Sequence, residues 1–163
     1  MIRASGASPA QGRSPDAGAV SGTLLAFDFG ERRIGVAVGE TSTRIASPLC
    51  AITATSNDSR FTAIEKLVRE WQPAAFVVGR PRHADGAEHP IAALAAKFAR
   101  RLAARYGGPV YFVDETLTSA AAQSTLRETR TRAARAADVD ALAAALILQS
   151  YLDEPDRHER LAA

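Results

Sequence analysis

Leu24-Leu25-Ala26-Phe27-Asp28-Phe29-Gly30 is an apolar run closed by a glycine, and Ile34-Gly35-Val36-Ala37-Val38-Gly39 follows it after a short polar turn. Each run has the length and residue types of a buried strand. A parallel return needs a crossover of a dozen or more residues, so so short a turn makes the pair an antiparallel hairpin. Working outward, Arg44 to Ile52 reads as a third strand, bent where Pro48 removes a backbone donor. Phe61, Ile64, Leu67, Val68 and Trp71 then recur at helical spacing until Pro73 stops the helix. Ala75-Phe76-Val77-Val78-Gly79 is apolar throughout, as a strand covered on both faces should be. A loop carrying Asp85-Gly86 leads to a helix with Ile91, Leu94, Phe98 and Leu102 on one stripe, ended by Gly107-Gly108. Val110-Tyr111-Phe112-Val113 is another buried strand and runs into Asp114-Glu115. A helix is expected from Thr118, then an arginine-studded segment, then a last helix from Asp138 to about Leu152.

The predicted order is therefore β-β-β-α-β-α-β-α-α. It describes an α/β fold with a mixed five-stranded sheet: an antiparallel three-strand meander plus two parallel crossover strands, flanked by helices. Residues 1–21 are rich in Ala, Ser, Gly and Pro without hydrophobic period and read as a flexible tail. Residues 22–152 form the single expected domain, and the charged stretch 153–163, with Pro155, is expected to fray.

At 163 residues and 47% hydrophobic, the chain suits one packed domain. No apolar stretch approaches a membrane span, and no secretory core interrupts the polar N-terminus, so a cytoplasmic protein without membrane partners is expected. Cys50 is the only cysteine, which rules out an internal disulfide and fits a reducing compartment; its neighbours Pro48, Leu49, Ala51 and Ile52 mark it as a small buried residue. The net charge is +2 and the pI about 9.0. Lysine fills only two of the 20 basic positions, Lys66 and Lys97; the rest are arginine. A guanidinium can bind two phosphate oxygens at once, but the same excess arises from an Ala- and Arg-rich composition, so charge alone names no partner.

Two acids interrupt the apolar strands. Asp28 lies near the end of the first strand and Glu115 at the exit of the last, while Asp140 occurs early in an otherwise apolar helix. A buried carboxylate must be hydrogen-bonded, paired or metal-bound, since leaving it alone costs several kcal/mol. In open α/β sheets ligands bind at the C-terminal edge of the parallel strands, where Asp28 and Glu115 would both lie. A hard divalent cation would relieve the mutual repulsion of the three acids and would serve phosphodiester cleavage. Singly, each acid has a plainer reading: Asp28 as a turn residue, Glu115 as a helix cap or an arginine partner, Asp138 or Asp140 as an N-cap. Helix geometry turns Asp140 toward the direction of Ile147 and Tyr151, and Asp138 toward Gln149 and solvent, which favours Asp140 as the ligand and Asp138 as the cap.

These same strings resemble a known family. Phe27-Asp28-Phe29-Gly30-Glu31-Arg32-Arg33-Ile34-Gly35-Val36-Ala37 is similar to the opening motif of the YqgF/RuvX family. Val77-Val78-Gly79-Arg80-Pro81 with Asp85-Gly86, Asp114-Glu115-Thr116-Leu117-Thr118-Ser119, and Val139-Asp140-Ala141-Leu142-Ala143-Ala144 resemble its later blocks in the same order. The resemblance implies an RNase H-like nuclease that uses Mg²⁺ or Mn²⁺ held by Asp28, Glu115 and Asp140. It further implies processing of the 5′ end of pre-16S rRNA in ribosome biogenesis, with RNA and pre-ribosomal particles as partners. Two positions depart from the pattern: Arg80 stands where an apolar residue is usual, and Thr116 where Arg is common. Candidate phosphate contacts are Arg32, Arg33, Arg80, Arg82, Arg130, Arg132 and Arg135. His83 and His89 read as exposed loop residues.

Rival readings are a Holliday-junction-type DNA resolvase, a non-catalytic RNA-binding assembly factor, and a sugar kinase or actin-like ATPase. The last needs a second similar domain, for which the chain has no residues. The sequence offers no aromatic stacking platform or recognition helix to separate RNA from DNA. Cleavage mode and oligomeric state, monomer or homodimer, stay open.

Overall fold

A computed structural model describes residues 20–81, 90–115, 124, 127–128 and 135–162. The hairpin forms as expected: β1 (Thr23–Asp28) pairs antiparallel with β2 (Arg33–Glu40), and β2 with β3 (Ile45–Thr53). The register of β2 against β3 slips between Val36 and Ala37, whose partners are Cys50 and Pro48, so Leu49 is the extra residue of a bulge beside the proline. Helix α1 (Asn57–Trp71) starts at an extended Ser56, whose side chain accepts from the Ser59 amide, and ends at a left-handed Gln72 one residue before Pro73. Strand β4 (Ala75–Arg80) returns parallel to β1, helix α2 (Pro90–Tyr106) ends at Gly107 with φ +75°, and β5 (Val110–Asp114) pairs parallel with β4. The last helix, α3, spans Ala136–Asp153. The helix expected from Thr118 lies almost wholly outside the described residues, as do residues 1–19, His83, His89 and Asp85-Gly86.

Two expectations are corrected. The sheet has six strands, ordered β3-β2-β1-β4-β5-β6, because the stretch expected to fray supplies β6 (Glu159–Arg160). A 3₁₀ turn at Pro155–Arg157 redirects the chain, and Arg160 and Glu159 pair antiparallel with Tyr111 and Phe112 on the open edge of β5. Helix α3 also begins earlier than Asp138. Arg135 holds the N-cap position with extended backbone and no side-chain cap, so Asp138 is an exposed first-turn residue whose amide donates to Arg135 O at 3.0 Å.

Alternation along the strands divides the core in two. Leu25, Phe27, Ile34, Val36, Phe76, Val78 and Phe112 face α1 and α2, where Phe61, Phe98 and Leu102 complete the layer. Leu24, Ala26, Ala37, Ala75, Val77 and Val113 face α3, packed by Ala144, Ile147, Leu148 and Tyr151. Each fully buried aliphatic or aromatic side chain contributes about 1.5–3 kcal/mol, so the two layers outweigh any single polar contact in holding the helices on the sheet.

Candidate functional site

The face that carries Leu24 and Ala26 also carries the next alternate residue of β1, Asp28. Asp28 pairs directly with Gly35 of β2. On its other side the last paired step is Phe27 with Val78, so Asp28 stands level with Gly79 of β4. A glycine therefore flanks Asp28 on both sides, and what fills the space of each missing side chain defines the site. A Cβ on Gly35 would come within 1.9 Å of Asp140 O, so the first turns of α3 lie directly on the strand at that point. A Cβ on Gly79 would lie 2.4 Å from Ile147 Cδ1 and 3.3 Å from Glu115 Oε2. Glu115, two residues beyond Val113, thus leans back over β4 on the same face as Asp28.

The three predicted acids are brought to one end of one sheet face, at the C-terminal edge of parallel strands β1, β4 and β5. Their circumstances differ. Burial pushes the Glu115 carboxyl above the usual carboxylate range. Asp140 accepts from Arg33 Nε at 2.5 Å, in a pair that is half exposed on the arginine side. Among the described residues no three carboxylate, imidazole or thiol groups are already gathered around one point; Asp140 is turned onto Arg33 instead. A complete cage is not what a small hard cation needs, because Mg²⁺ commonly takes one or two carboxylates and fills its shell with water and substrate phosphate. Two hard oxygen donors across a side-chain-free glycine, one of them partly buried, fit such an ion.

The predicted arginines fall into three groups. Arg32 and Arg135 are exposed, and Arg33 is committed to Asp140. Arg80 is 16% exposed, donates to Asp114 at 3.1 Å and to Glu159 at 2.9 Å, and lies 4.7 Å from the centre of the Phe112 ring. Its departure from the family pattern thus has a structural partner, the strand β6. Arg82, Arg130 and Arg132 lie outside the described residues, as does Thr116.

A second set of residues escaped the sequence reading. Phe29, Arg60, Leu94, Lys97 and Arg101 line a pocket of about 230 Å³ just past the end of β1, on the α1/α2 side. They come from three separate elements, so no spacing in the chain announces them. Leu94, expected in the core stripe of α2, is 38% exposed here. Cys50 is half-buried with its thiol pushed up by burial, in keeping with a packing role.

A family model described as RuvX, Holliday junction resolvase, matches residues 22–154. A protein of Dechloromonas aromatica is 56% identical over 135 residues, covering 82% of this chain and 92% of its own. One of Neisseria gonorrhoeae is 51% identical over 133 residues, covering 81% and 88%. Both carry the provisional name pre-16S rRNA nuclease. Among solved structures, Thermus thermophilus RuvC in complex with a Holliday junction substrate superposes with a TM-score of 0.54 at 19% identity, covering 85% of this chain and 99% of that one. At that identity the likeness speaks for the fold, which is RNase H-like.

Proposed function

Because this chain belongs to the RuvX family, we propose that it is a metal-dependent nuclease, with Asp28, Glu115 and Asp140 as the acids of its active site. The observation that carries the reading is the placement of Asp28 and Glu115 on one sheet face across Gly79, with α3 seating Asp140 against Gly35. Asp28 and Glu115 would hold a Mg²⁺ or Mn²⁺ ion, with Asp140 joining them once released by Arg33. When bound, such an ion supplies a polarised phosphoryl oxygen and an activated water for phosphodiester hydrolysis.

The chain's own residues do the rest. Glu115, kept in a poorly solvated position, holds a proton more readily than a surface carboxylate, and nearby positive charge would favour its anion. Arg33 neutralises Asp140 at rest and, once displaced, is within side-chain reach of an incoming phosphate. Exposed Arg32 and Arg135 flank the same edge and orient the backbone of the nucleic acid, a role we also assign to Arg82, Arg130 and Arg132.

The substrate we favour is structured RNA, with maturation of the 5′ end of pre-16S rRNA in the cytoplasm as the setting and residues 22–152, braced by the β6 strap, as the functional unit. Support for RNA comes from the names of the relatives at about half identity. The family description and the RuvC likeness favour a second reading, a four-way DNA junction. The test is direct: incubate purified protein with structured RNA and with a four-way DNA junction, each with Mn²⁺, with Mg²⁺ and with EDTA. Cleavage of RNA that needs metal and is lost in Asp28→Asn supports the reading; cleavage of the junction alone selects the second; metal-independent or Asp28-independent cleavage overturns both.

A further inference from the structure

The pocket past the end of β1 is well placed for more than packing. Phe29 follows Asp28 directly, so its Cα is about 3.8 Å from that of the acid, yet alternation sends its side chain to the opposite face of the sheet. There it meets Phe98 at a centroid distance of 5.2 Å, and the Arg60 guanidinium lies 5.4 Å from its ring centre. Arg60 is itself fixed by a 2.8 Å bond to Glu31 O, which leaves a flat, preorganised cation and ring at the inner wall. The outer wall is one stripe of α2, Leu94, Lys97 and Arg101, which combines an exposed apolar side chain with two cations. Among the described lining residues three are cationic and Glu31 alone is acidic.

The size narrows the occupant. About 230 Å³ is below the roughly 300 Å³ at which pockets begin to take drug-sized molecules, so it suits one ring system rather than a whole nucleotide. A slot with Phe29, Leu94 and Phe98 as its apolar walls beside a guanidinium plane, with ammonium and guanidinium groups at its mouth, matches a base with its neighbouring phosphate. A duplex keeps its bases stacked inside, so the occupant is an unpaired nucleotide.

We propose that this pocket is a nucleotide subsite: it receives an unpaired base flanking the cleaved bond, against Leu94 and the Arg60–Phe29 pair, while Lys97 and Arg101 hold the adjoining phosphate. The subsite rests on the nuclease reading and deepens it, because it makes the substrate locally single-stranded at the cut. A strand crossing the sheet edge from Asp28 to Phe29 passes from the carboxylates on one face to the base pocket on the other.

The experiment measures binding in EDTA, so it does not depend on turnover. A short fluorescent single-stranded RNA is titrated at several salt concentrations against the full chain and against the Leu94→Ala/Lys97→Ala/Arg101→Ala variant. Affinity should fall about tenfold or more, and the log–log salt slope should flatten by about 1.4, two phosphate contacts at ~0.7 each. An abasic site walked along the RNA should weaken wild-type binding several-fold at one position and leave the variant's binding unchanged there. Unchanged affinity and slope in the variant, or a flat abasic walk in the wild type, overturns the subsite. If the triple variant melts early, Lys97→Glu, at an exposed position, replaces it: affinity should fall several-fold and the slope should flatten by about 0.7 for the one lost phosphate contact, while the abasic walk is read on the wild type. Wild-type protein that binds neither RNA nor a DNA junction overturns the nuclease reading itself, so the two failures are told apart.

Discussion

Glu115 and Asp140 reach the same sheet edge in different electrostatic settings, one desolvated and the other paired with Arg33, and substitutions should separate them. The Glu115 carboxyl is raised by burial, so the folded state binds its proton more tightly than the unfolded chain does. Stability from this group is therefore full at pH below the unfolded value and is lost as pH rises through the raised folded value. In metal-free protein, Glu115→Gln should raise the melting temperature near neutral pH and bring no gain below about pH 4, where wild type is already protonated. With Mn²⁺ present it should lose cleavage by about 10³-fold or more. An unchanged apo melting profile would mean that Glu115 is solvated. Asp140→Asn should likewise abolish cleavage, whereas Asp138→Asn should keep most of it, since Asp138 is exposed and caps nothing with its side chain. A dead Asp138 variant beside an active Asp140 one would reverse the assignment. These acids were legible in the sequence because a carboxylate inside an apolar run is costly unless something uses it. Phe29, Arg60, Lys97 and Arg101 were not, because each is unremarkable in its own element and only the fold brings them together.

At the scale of elements, helix α3 sits close to the sheet because β2 presents Gly35, Ala37 and Gly39 to it, where larger side chains would hold it off. Gly35→Ala tests this. Its Cβ would come within 1.9 Å of a backbone oxygen of α3, which no rotamer change can relieve, so the helix start must shift and Asp140 with it. The expected cost is at the upper end of about 1–3 kcal/mol, or roughly 6–12 °C at 2–4 °C per kcal/mol, with cleavage lost as well. Gly108→Ala is the control, since its nearest atom would be Ala74 O at 3.5 Å; it should melt like wild type. Equal effects at the two glycines would refute the close-approach account. The strands and helices of the body were readable from periodicity and breakers: the hairpin, the irregularity at Pro48 (a bulge where a bend was expected), the Pro73 stop and the Gly107 end all stand where expected. The start of α3 was misplaced because Asp138 carries an N-cap residue type, while the chain begins the helix at Arg135 without a side-chain cap. Gln149, expected near solvent, instead accepts from Ala46 N at 3.0 Å and donates to Arg44 O at 2.9 Å, tying α3 to β3.

For the whole molecule, the largest departure from the sequence reading is the strap that closes the sheet. Residues 153–163 read as a stretch that frays because two polar residues, Glu159 and Arg160, have no alternation to mark them as a strand; only the open edge of β5 makes them one. They lie almost wholly beyond residues 22–154, the part matched by the family model. The strap is anchored along its length. His158 Nε2 lies 3.2 Å from Ser150 O, Leu161 N donates to Val110 O at 2.8 Å, and Leu161 packs against the α1/α2 layer. Glu159 holds one end of Arg80, whose other partner is Asp114 at the exit of β5, next to Glu115. Removing residues 154–163 should therefore do two things. It should uncover the β5 edge, a template for pairing between chains, so the truncated protein should melt several degrees lower and aggregate on heating. It should also leave Arg80 with half its partners at a mostly buried position, loosening the strand end that positions Glu115. Glu159→Gln isolates the second effect, since it keeps the backbone pairing of β6. That variant should melt within about 1–2 °C of wild type, as a pair exposed on the acid side contributes about 1 kcal/mol or less. The truncated chain should show both a lower melting temperature and weaker cleavage, while deletion of residues 1–19 should change neither. If the truncated chain melts and cleaves as the full one does, the strap is an ornament on the edge, and β5 is stable without it.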